Sequence, residues 1–191
     1  MDTFKFYTDL GFWHVIDLEG LDHLFFITTL ALPFAFSKSR KLIWWVTLFT
    51  LGHTLSLVGN VYAEIKFSSY WIELLIPVTI AISAISLLLK KRTSIADKTS
   101  WFFPILTILF GVIHGLGFGR YFSLLIPEES VGSSLLSFAI GVELAQILIV
   151  LGVLILNIIV IDFMKRSRLK WEFLIGALVL SQALTMIFER I

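Results

Sequence analysis

The chain lacks cysteine altogether and is poor in charged residues. With no cysteine among 191 residues, neither a disulfide nor a thiolate metal site can form, so a bound metal must be held by nitrogen and oxygen ligands. Charged residues make up 15% of the chain and hydrophobic residues 58%, whereas a soluble domain carries about 25% charged residues. A net charge of +1 gives no reason to expect nucleic acid as a partner. The composition therefore predicts an integral membrane protein in contact with lipids.

Six apolar runs approach the ~20 residues that a helix needs to cross the hydrocarbon core. They lie at about 21–37, 42–62, 70–89, 101–126, 131–161 and 171–188. We therefore predict an all-α, polytopic helix bundle of about six transmembrane helices, forming a single membrane domain over 1–191. The opening segment, 1–19, is aromatic-rich and does not read as a secretory signal, so we expect it to rest at the lipid headgroups.

Basic residues gather after the first, third and fifth runs. These places hold eleven of the 15 basic residues, namely Lys38, Arg40, Lys41, Lys90, Lys91, Arg92, Lys98, Lys165, Arg166, Arg168 and Lys170. Cytoplasmic loops are enriched in lysine and arginine, so these loops are expected in the cytoplasm. Six spans then place both the N- and C-termini outside the cytoplasm. An odd number of spans would break the alternation between basic loops on the inside and less basic loops on the outside.

Several ionisable or amide side chains fall within the apolar runs, although hydrocarbon makes each charge cost several kcal/mol. They are Asp22 and His23 in the first run, His53 in the second, Glu73 in the third, His114 in the fourth, and Glu143 with Gln146 in the fifth. The fourth histidine, His14, precedes the first run. A rise of about 1.5 Å per residue places most of these side chains in the outer half of the bilayer, where neighbouring helices can bring them together.

Each residue also has an ordinary structural interpretation. A membrane histidine is often hydrogen-bonded to a carbonyl, Asp22 can cap a helix, and Glu73 can be solvated at a helix mouth. Glu143 can be protonated and inert. The polar face formed by Thr50, Ser56 and Asn60 around His53, and the glycines around His114, can serve helix packing alone. The alternative to metal binding is thus a hydrogen-bonded or proton-relay network.

Taken together, the histidines and carboxylates suit a divalent transition metal, with zinc, nickel or cobalt favoured, because calcium and magnesium seldom recruit histidine. The predicted ligands are His23, His53, His114, Asp22 and Glu143, with His14, Glu73 and Gln146 as additional candidates. We expect His23, His53 and His114 to converge on one site. His53→Ala should therefore abolish metal binding, whereas His14→Ala should do much less.

Most of these polar residues lie in four motifs: Gly11-Phe12-Trp13-His14 followed by Gly20-Leu21-Asp22-His23-Leu24, then Phe49-Thr50-Leu51-Gly52-His53-Thr54, then Phe110-Gly111-Val112-Ile113-His114-Gly115, and Gly141-Val142-Glu143 with Gln146. These motifs, in this order, resemble the HupE/UreJ family of hydrogenase and urease accessory membrane proteins, in particular its second, broader branch. Seven residues separate His14 from Asp22, where the family pattern usually has five. The fourth-span motif keeps one histidine, His114, of the histidine-rich signature of the nickel permeases.

The resemblance implies transport or handling of a divalent metal, as in nickel and cobalt permeases, in a bacterial inner membrane. The leading hypothesis makes Asp22, His23, His53, His114 and Glu143 transient ligands and Glu73 an entrance carboxylate. The alternative is an intramembrane metal-dependent hydrolase that acts on lipid or lipid-linked substrates at the outer leaflet, with Glu143 or Glu73 as general base. A sensor or an assembly partner is a further alternative, and the oligomeric state is left open.

Overall fold

The computed structural model describes residues 3–17, 20–63, 67–89 and 102–191, and these residues form helices and no strand. Their α-helices are α1 (Thr3–Ile16), α2 (Asp22–Ala31), α3 (Ser39–Ala63), α4 (Ser69–Leu88), α5 (Phe102–Leu125), α6 (Val131–Asn157) and α7 (Arg168–Phe188). Short 3-10 turns at Phe36–Lys38 and Glu128–Ser130 precede α3 and α6, and a π-helical turn, Ile158–Phe163, extends α6. The predicted all-α class is confirmed.

Five helices are long and apolar enough to cross a membrane. They cover Phe36–Ala63, Ser69–Leu88, Pro104–Leu125, Val131–Phe163 and Arg168–Phe188 within the described part of the chain. These ranges lie at the positions of the predicted second to sixth spans. The predicted basic cluster Lys90, Lys91, Arg92 and Lys98 lies outside the described residues.

The predicted first span, 21–37, is not one continuous helix. Its helical part, α2, has 10 residues and is therefore about 15 Å long, about half of the ~30 Å hydrocarbon core. The helix ends just before Pro33, which has no N–H to donate. Side chains from later helices bind the backbone carbonyls that follow α2. Asn157 Nδ2 donates to the oxygens of Leu32 and Phe34 at 3.1 and 3.3 Å. Arg168 Nη1 donates to the oxygen of Phe34 at 3.4 Å.

The opening segment, expected at the headgroups, forms α1 and packs one face into the bundle. Tyr7, Gly11 and Val15 are buried on that face, while Phe4 and Trp13 are exposed on the other. The segment thus contributes to the protein interior as well as to its lipid-facing surface.

The helices pack in three close pairs, α3 with α5, α1 with α6, and α4 with α7, and α2 lies among them in contact with all three pairs. The Tyr7 hydroxyl of α1 donates to the carbonyl of Leu125 at the C-terminal end of α5, at 2.7 Å. At the far end of α2, the ring of Phe34 lies 5.3 Å from that of Trp45, near the start of α3. Consequently α1 runs from the end of α5 toward the middle of the bundle, and α2 continues in the same direction to the start of α3.

Candidate metal centre

Close glycine contacts place His53 and His114 in the middle of the bundle. Gly52 on α3 packs against the backbone of Ile108 and Val112, and Gly111 on α5 packs against the backbone of Phe49 and His53. A Cβ atom added at Gly111 would stand only 3.0 Å from the backbone nitrogen of His53, so only glycine permits this approach. α5 stays helical over its full length, so its glycines serve packing and not unwinding.

The same kind of contact joins α1 to α6 and places His14. Gly11 packs against the backbone of Phe138 and Val142, and Gly141 packs against the backbone of Thr8 and Phe12. His14 lies one turn beyond this contact, next to the point where α1 ends. The next helix, α2, has His23 as its second residue. The interruption between α1 and α2 therefore brings two histidines to the level of His53 and His114.

The four histidines form one group, named here the histidine cluster. The ring centres of His14 and His23 are 4.9 Å apart, those of His14 and His53 5.7 Å, those of His23 and His53 5.9 Å, and those of His23 and His114 5.2 Å. Possible ligand atoms of His14, His23 and His53 all lie within 4.8 Å of one another. His23 is thus in contact with each of the other three histidines.

The histidine cluster leaves its Nε2 atoms without hydrogen bonds. His23, His53 and His114 are 2%, 1% and 2% exposed, and the Nε2 atom of each, together with that of His14, is buried with no partner among the described residues. An unsatisfied buried polar atom costs about 1–3 kcal/mol, so four in one place favour a bound ion or water. The ordinary interpretation of these histidines, a hydrogen bond from each ring to a neighbour, does not account for these atoms.

Two of the rings are held by hydrogen bonds on the opposite nitrogen. His23 Nδ1 lies 3.1 Å from Asp22 Oδ1, and His114 Nδ1 lies 2.9 Å from the carbonyl oxygen of Phe110. A proton on Nδ1 donated to these acceptors leaves the lone pair on Nε2 free to bind a metal. Metal-bound histidines almost always show this pairing. Asp22, a predicted ligand, therefore orients His23, and its Oδ1 also accepts the backbone N–H of His23 at 2.8 Å.

Three of the histidines have ligand atoms close enough to bind one tetrahedral ion. With metal–nitrogen bonds of about 2.1 Å, each ring centre lies about 3.3 Å from the metal, and tetrahedral geometry separates the ring centres by about 5.4 Å. The separations among His14, His23 and His53, 4.9 to 5.9 Å, bracket this value, and His114 lies 5.2 Å from His23. Ligand nitrogens in that geometry are about 3.4 Å apart, so the ligand atoms of His14, His23 and His53, now within 4.8 Å of one another, must each move inward by less than about 1 Å on binding.

Glu143 and Gln146 lie in a separate cluster on the seam between α3 and α6. Glu143 accepts hydrogen bonds from Thr47 and Thr50, and Thr50 also contacts the amide oxygen of Gln146. Neither residue belongs to the metal-binding group found among the described residues. The polar face predicted on α3 is thus divided: Thr50 faces α6, and Ser56 packs against Gly115 of α5.

Glu73 lines a pocket near the other end of the bundle. This pocket, of about 540 Å³, lies between the end of α3, the start of α4 and the second half of α5, and it also contains Asn60 and Arg120. Asn60 packs against Gly119 and donates from Nδ2 to the carbonyl of Ser56 at 2.9 Å. No histidine lines this pocket, so Glu73 does not contact the histidine cluster there.

Sequence reasoning ranked His14 last among the histidines, yet the structure places it against His23 and His53. The lengthened spacing before Asp22 suggested that His14 does not occupy a ligand position, but its ring lies 4.9 Å from that of His23 and 5.7 Å from that of His53. A signal was present in the sequence: a glycine precedes His14, His23 and His114 by three residues each. At Gly11 and Gly111 this glycine is the point of closest helix contact, so the following histidine points into the bundle.

The fold and the histidine cluster together define a polytopic helical membrane protein with imidazole groups in its interior. A family profile described as HupE / UreJ protein matches residues 1–190, and the chain belongs to that family. Comparison with curated proteins gave no match, and comparison with solved structures gave none either. The HupE/UreJ family is related to nickel and cobalt handling. Membership of this family and the long apolar helices both fit a membrane protein that handles metal ions.

Proposed function

We propose that this protein binds one divalent transition metal ion at the histidine cluster and passes the ion across the membrane. The observation that carries the proposal is one cluster of four histidine rings whose buried Nε2 atoms have no hydrogen-bond partner within the described ranges, with ligand atoms of three of the rings within 4.8 Å of one another. A metal ion replaces four unsatisfied atoms with four bonds. His14, His23, His53 and His114 would hold the ion, and it is the cargo of the protein.

The donor set favours zinc, nickel or cobalt. Imidazole nitrogen suits these ions, whereas magnesium and calcium prefer oxygen ligands. Neutral imidazoles also leave the positive charge of the ion without a full counter-charge, and Asp22, hydrogen-bonded to His23, supplies one negative charge close by. The set is therefore suited to holding an ion inside the bilayer and releasing it again.

We infer that α1 and α2 form one interrupted crossing of the membrane, which makes six crossings in all. With 14 and 10 residues, the two helices add up to about 36 Å, enough for the ~30 Å hydrocarbon core. Interrupted helices at a binding site are a common device of secondary transporters. Both termini then lie at the end opposite Lys38 and Arg168, and the positive-inside rule puts that end outside the cytoplasm.

The contacts favour transport over hydrolysis. A hydrolase needs a general base next to a metal-bound water. Glu143 bonds to two threonines on the α3–α6 seam, and Glu73 lines the pocket at the outer end. That pocket instead supports an entrance: Glu73 and Arg120 lie at its wall, and Asn60 connects it through Ser56 to the turn that carries His53.

The experiment is a metal analysis of purified protein in detergent, after exposure to zinc, nickel or cobalt and removal of loosely bound ions. We expect one tightly bound ion per chain for the wild type and none for His53→Ala. Thr54→Val is the matched control, because Thr54 lies one residue further along α3 and its hydroxyl donates to the carbonyl of Thr50. The Thr54→Val protein should bind one ion. Full metal binding by His53→Ala, with an unchanged melting temperature, would refute the proposal.

A further inference from the structure

The second polar cluster of the bundle lies on the seam between α3 and α6 and is named here the oxygen cluster. Thr47 Oγ1 donates to Glu143 Oε1 at 2.7 Å, and Thr50 Oγ1 donates to Glu143 Oε2 at 2.5 Å. Thr50 Oγ1 also lies 3.0 Å from Gln146 Oε1. The cluster thus gathers five side-chain oxygens from four residues, joined by three hydrogen-bond contacts.

The oxygen cluster has more acceptors than protons to satisfy them. A threonine hydroxyl has one proton, so Thr50 cannot donate to Glu143 and to Gln146 at the same time. The two carboxylate oxygens and the amide oxygen therefore compete for two hydroxyl protons. Such an excess of oxygen acceptors is what a cation requires.

A second observation points to a ligand at the same place. Gln146 is 0% exposed, and its Nε2 has no hydrogen-bond partner in the part of the chain that the structure describes. The amide is therefore held by its oxygen alone, which faces Thr50. The amide oxygen thus lies beside the hydroxyl that also contacts Glu143, and it adds a third acceptor at a place where a positive charge would be stabilised.

The membrane environment strengthens the need for that charge. Glu143 is only half-buried, and its neighbours Ile140 and Leu144 are exposed on the lipid-facing surface. An ionised carboxylate in the hydrocarbon region costs several kcal/mol unless it is paired. A bound cation neutralises Glu143 without any change in the surrounding helices.

The distances between the oxygens fit a small divalent ion. An ion with oxygen ligands at about 2.1 Å in octahedral geometry holds adjacent oxygens about 3.0 Å apart. The contacts of Thr50 with Gln146 and with Glu143, at 3.0 and 2.5 Å, are near that value. A small outward movement of Glu143 would complete one face of the octahedron, and water can supply the rest.

The position of the oxygen cluster relates it to the histidine cluster. Thr50 precedes His53 by three residues on α3, which is a rise of about 4.5 Å. The displacement is toward the start of α3, the end that carries Lys38 and Lys41 and is expected in the cytoplasm. An ion leaving the histidines in that direction would meet the oxygen cluster next.

We propose that Glu143, Thr50 and Gln146 form a second, weaker station for the transported divalent ion, on the cytoplasmic side of the histidine cluster. This inference rests on the proposed function. Nickel, cobalt and zinc bind oxygen ligands less tightly than imidazole, so the step from nitrogen to oxygen ligands favours release. Conduction requires sites weak enough for the ion to leave, and the oxygen cluster provides one.

The test is a Co²⁺ titration of the purified full-length protein by equilibrium dialysis. The wild type should bind two ions, one tightly and one at least about 10-fold more weakly. Glu143→Gln and Thr50→Val should each lose the weaker ion and keep the tight one. Thr54→Val is the control, because it removes a threonine on the same helix that does not contact Glu143, and it should keep both ions.

The outcomes separate this inference from the proposed function. A wild type that binds one tight ion, unaffected by Glu143→Gln, overturns the second station and leaves the histidine cluster intact. If Glu143→Gln lost both ions and kept the wild-type melting temperature, Glu143 would belong to the histidine site. That result would also overturn the second station. If the wild type binds no Co²⁺, the proposed function fails first. If a variant does not fold, the number of Co²⁺ ions bound by the wild type decides: two ions support the second station, and one ion overturns it.

Discussion

The carboxylate of Asp22 lies 3.1 Å from Nδ1 of His23, the next residue in the chain, and the same oxygen accepts the backbone N–H of His23 at 2.8 Å. One aspartate oxygen thus binds both the backbone N–H of His23 and the imidazole that contacts the other three histidines. The aspartate-histidine pair acts as a unit, in which Asp22 positions the ring and His23 presents Nε2.

Asp22→Ala should lower metal affinity by about 10–100-fold without abolishing binding, because it removes the acceptor that orients His23. Asp22→Asn keeps an oxygen acceptor and loses only the charge, so its effect should be smaller. Competition with a chromophoric chelator measures both. Complete loss of metal in Asp22→Asn would instead make the carboxylate a direct ligand.

Gly111→Ala should destabilise the protein and impair metal binding, because the added methyl group meets the backbone of Phe49 and His53. Overpacking typically costs about 1–3 kcal/mol, and here the obstacle is backbone, which cannot rotate away. Gly152→Ala is the matched control, since no described atom lies within 4 Å of a Cβ at that position. Thermal melts should show a lower melting temperature for Gly111→Ala only; equal melting temperatures would contradict the close α3–α5 contact.

His14→Ala should lose metal affinity to an extent comparable with His53→Ala, contrary to the expectation from sequence. His14 contributes a possible ligand atom to the same group as His23 and His53. Metal content and melting temperature of the two variants, measured in one detergent, make the comparison. A His14→Ala protein with wild-type affinity would restore the sequence-based ranking and leave three histidines in the site.

The topology can be tested by single-cysteine labelling, since the chain has no cysteine of its own. Thr3→Cys and Ile191→Cys should both react with an impermeant maleimide added to intact cells. Ser37→Cys, next to the basic end of α3, should react only after the inner face is opened. If Thr3→Cys and Ile191→Cys reacted on opposite sides, α1 and α2 would not form one crossing.

Composition and hydropathy were sufficient to predict the helical class and the positions of the five long helices, because length and apolar content determine a span. They could not predict the interruption between α1 and α2. The run at 21–37 is mostly apolar, and although Pro33 interrupts it, the contacts of Asn157 and Arg168 with the carbonyls after α2 come from distant helices. Depth estimated from sequence placed His23 near the surface, since α1 was not expected within the bundle.

The sequence predicted a group of histidines and carboxylates, and the structure separates Glu143 from the histidines. Histidines are conspicuous in an apolar run, so His23, His53 and His114 could be grouped by their residue type and by the half of the bilayer that they share. Glu143 lies at nearly the same depth, and sequence cannot tell which face of α6 it occupies relative to the histidines. Its separation from them follows from its bonds to Thr47 and Thr50, which depend on how α3 and α6 are rotated against each other.

X-ray absorption spectroscopy of the protein loaded with one equivalent of Zn²⁺ tests the central claim most directly, because it counts and identifies the atoms bound to the metal. Four nitrogen ligands at about 2.0–2.1 Å, with the outer-shell scattering of imidazole rings, are expected. His53→Ala should not retain this spectrum. A first shell made of oxygen atoms without imidazole scattering would contradict the assignment of the histidine cluster as the metal site.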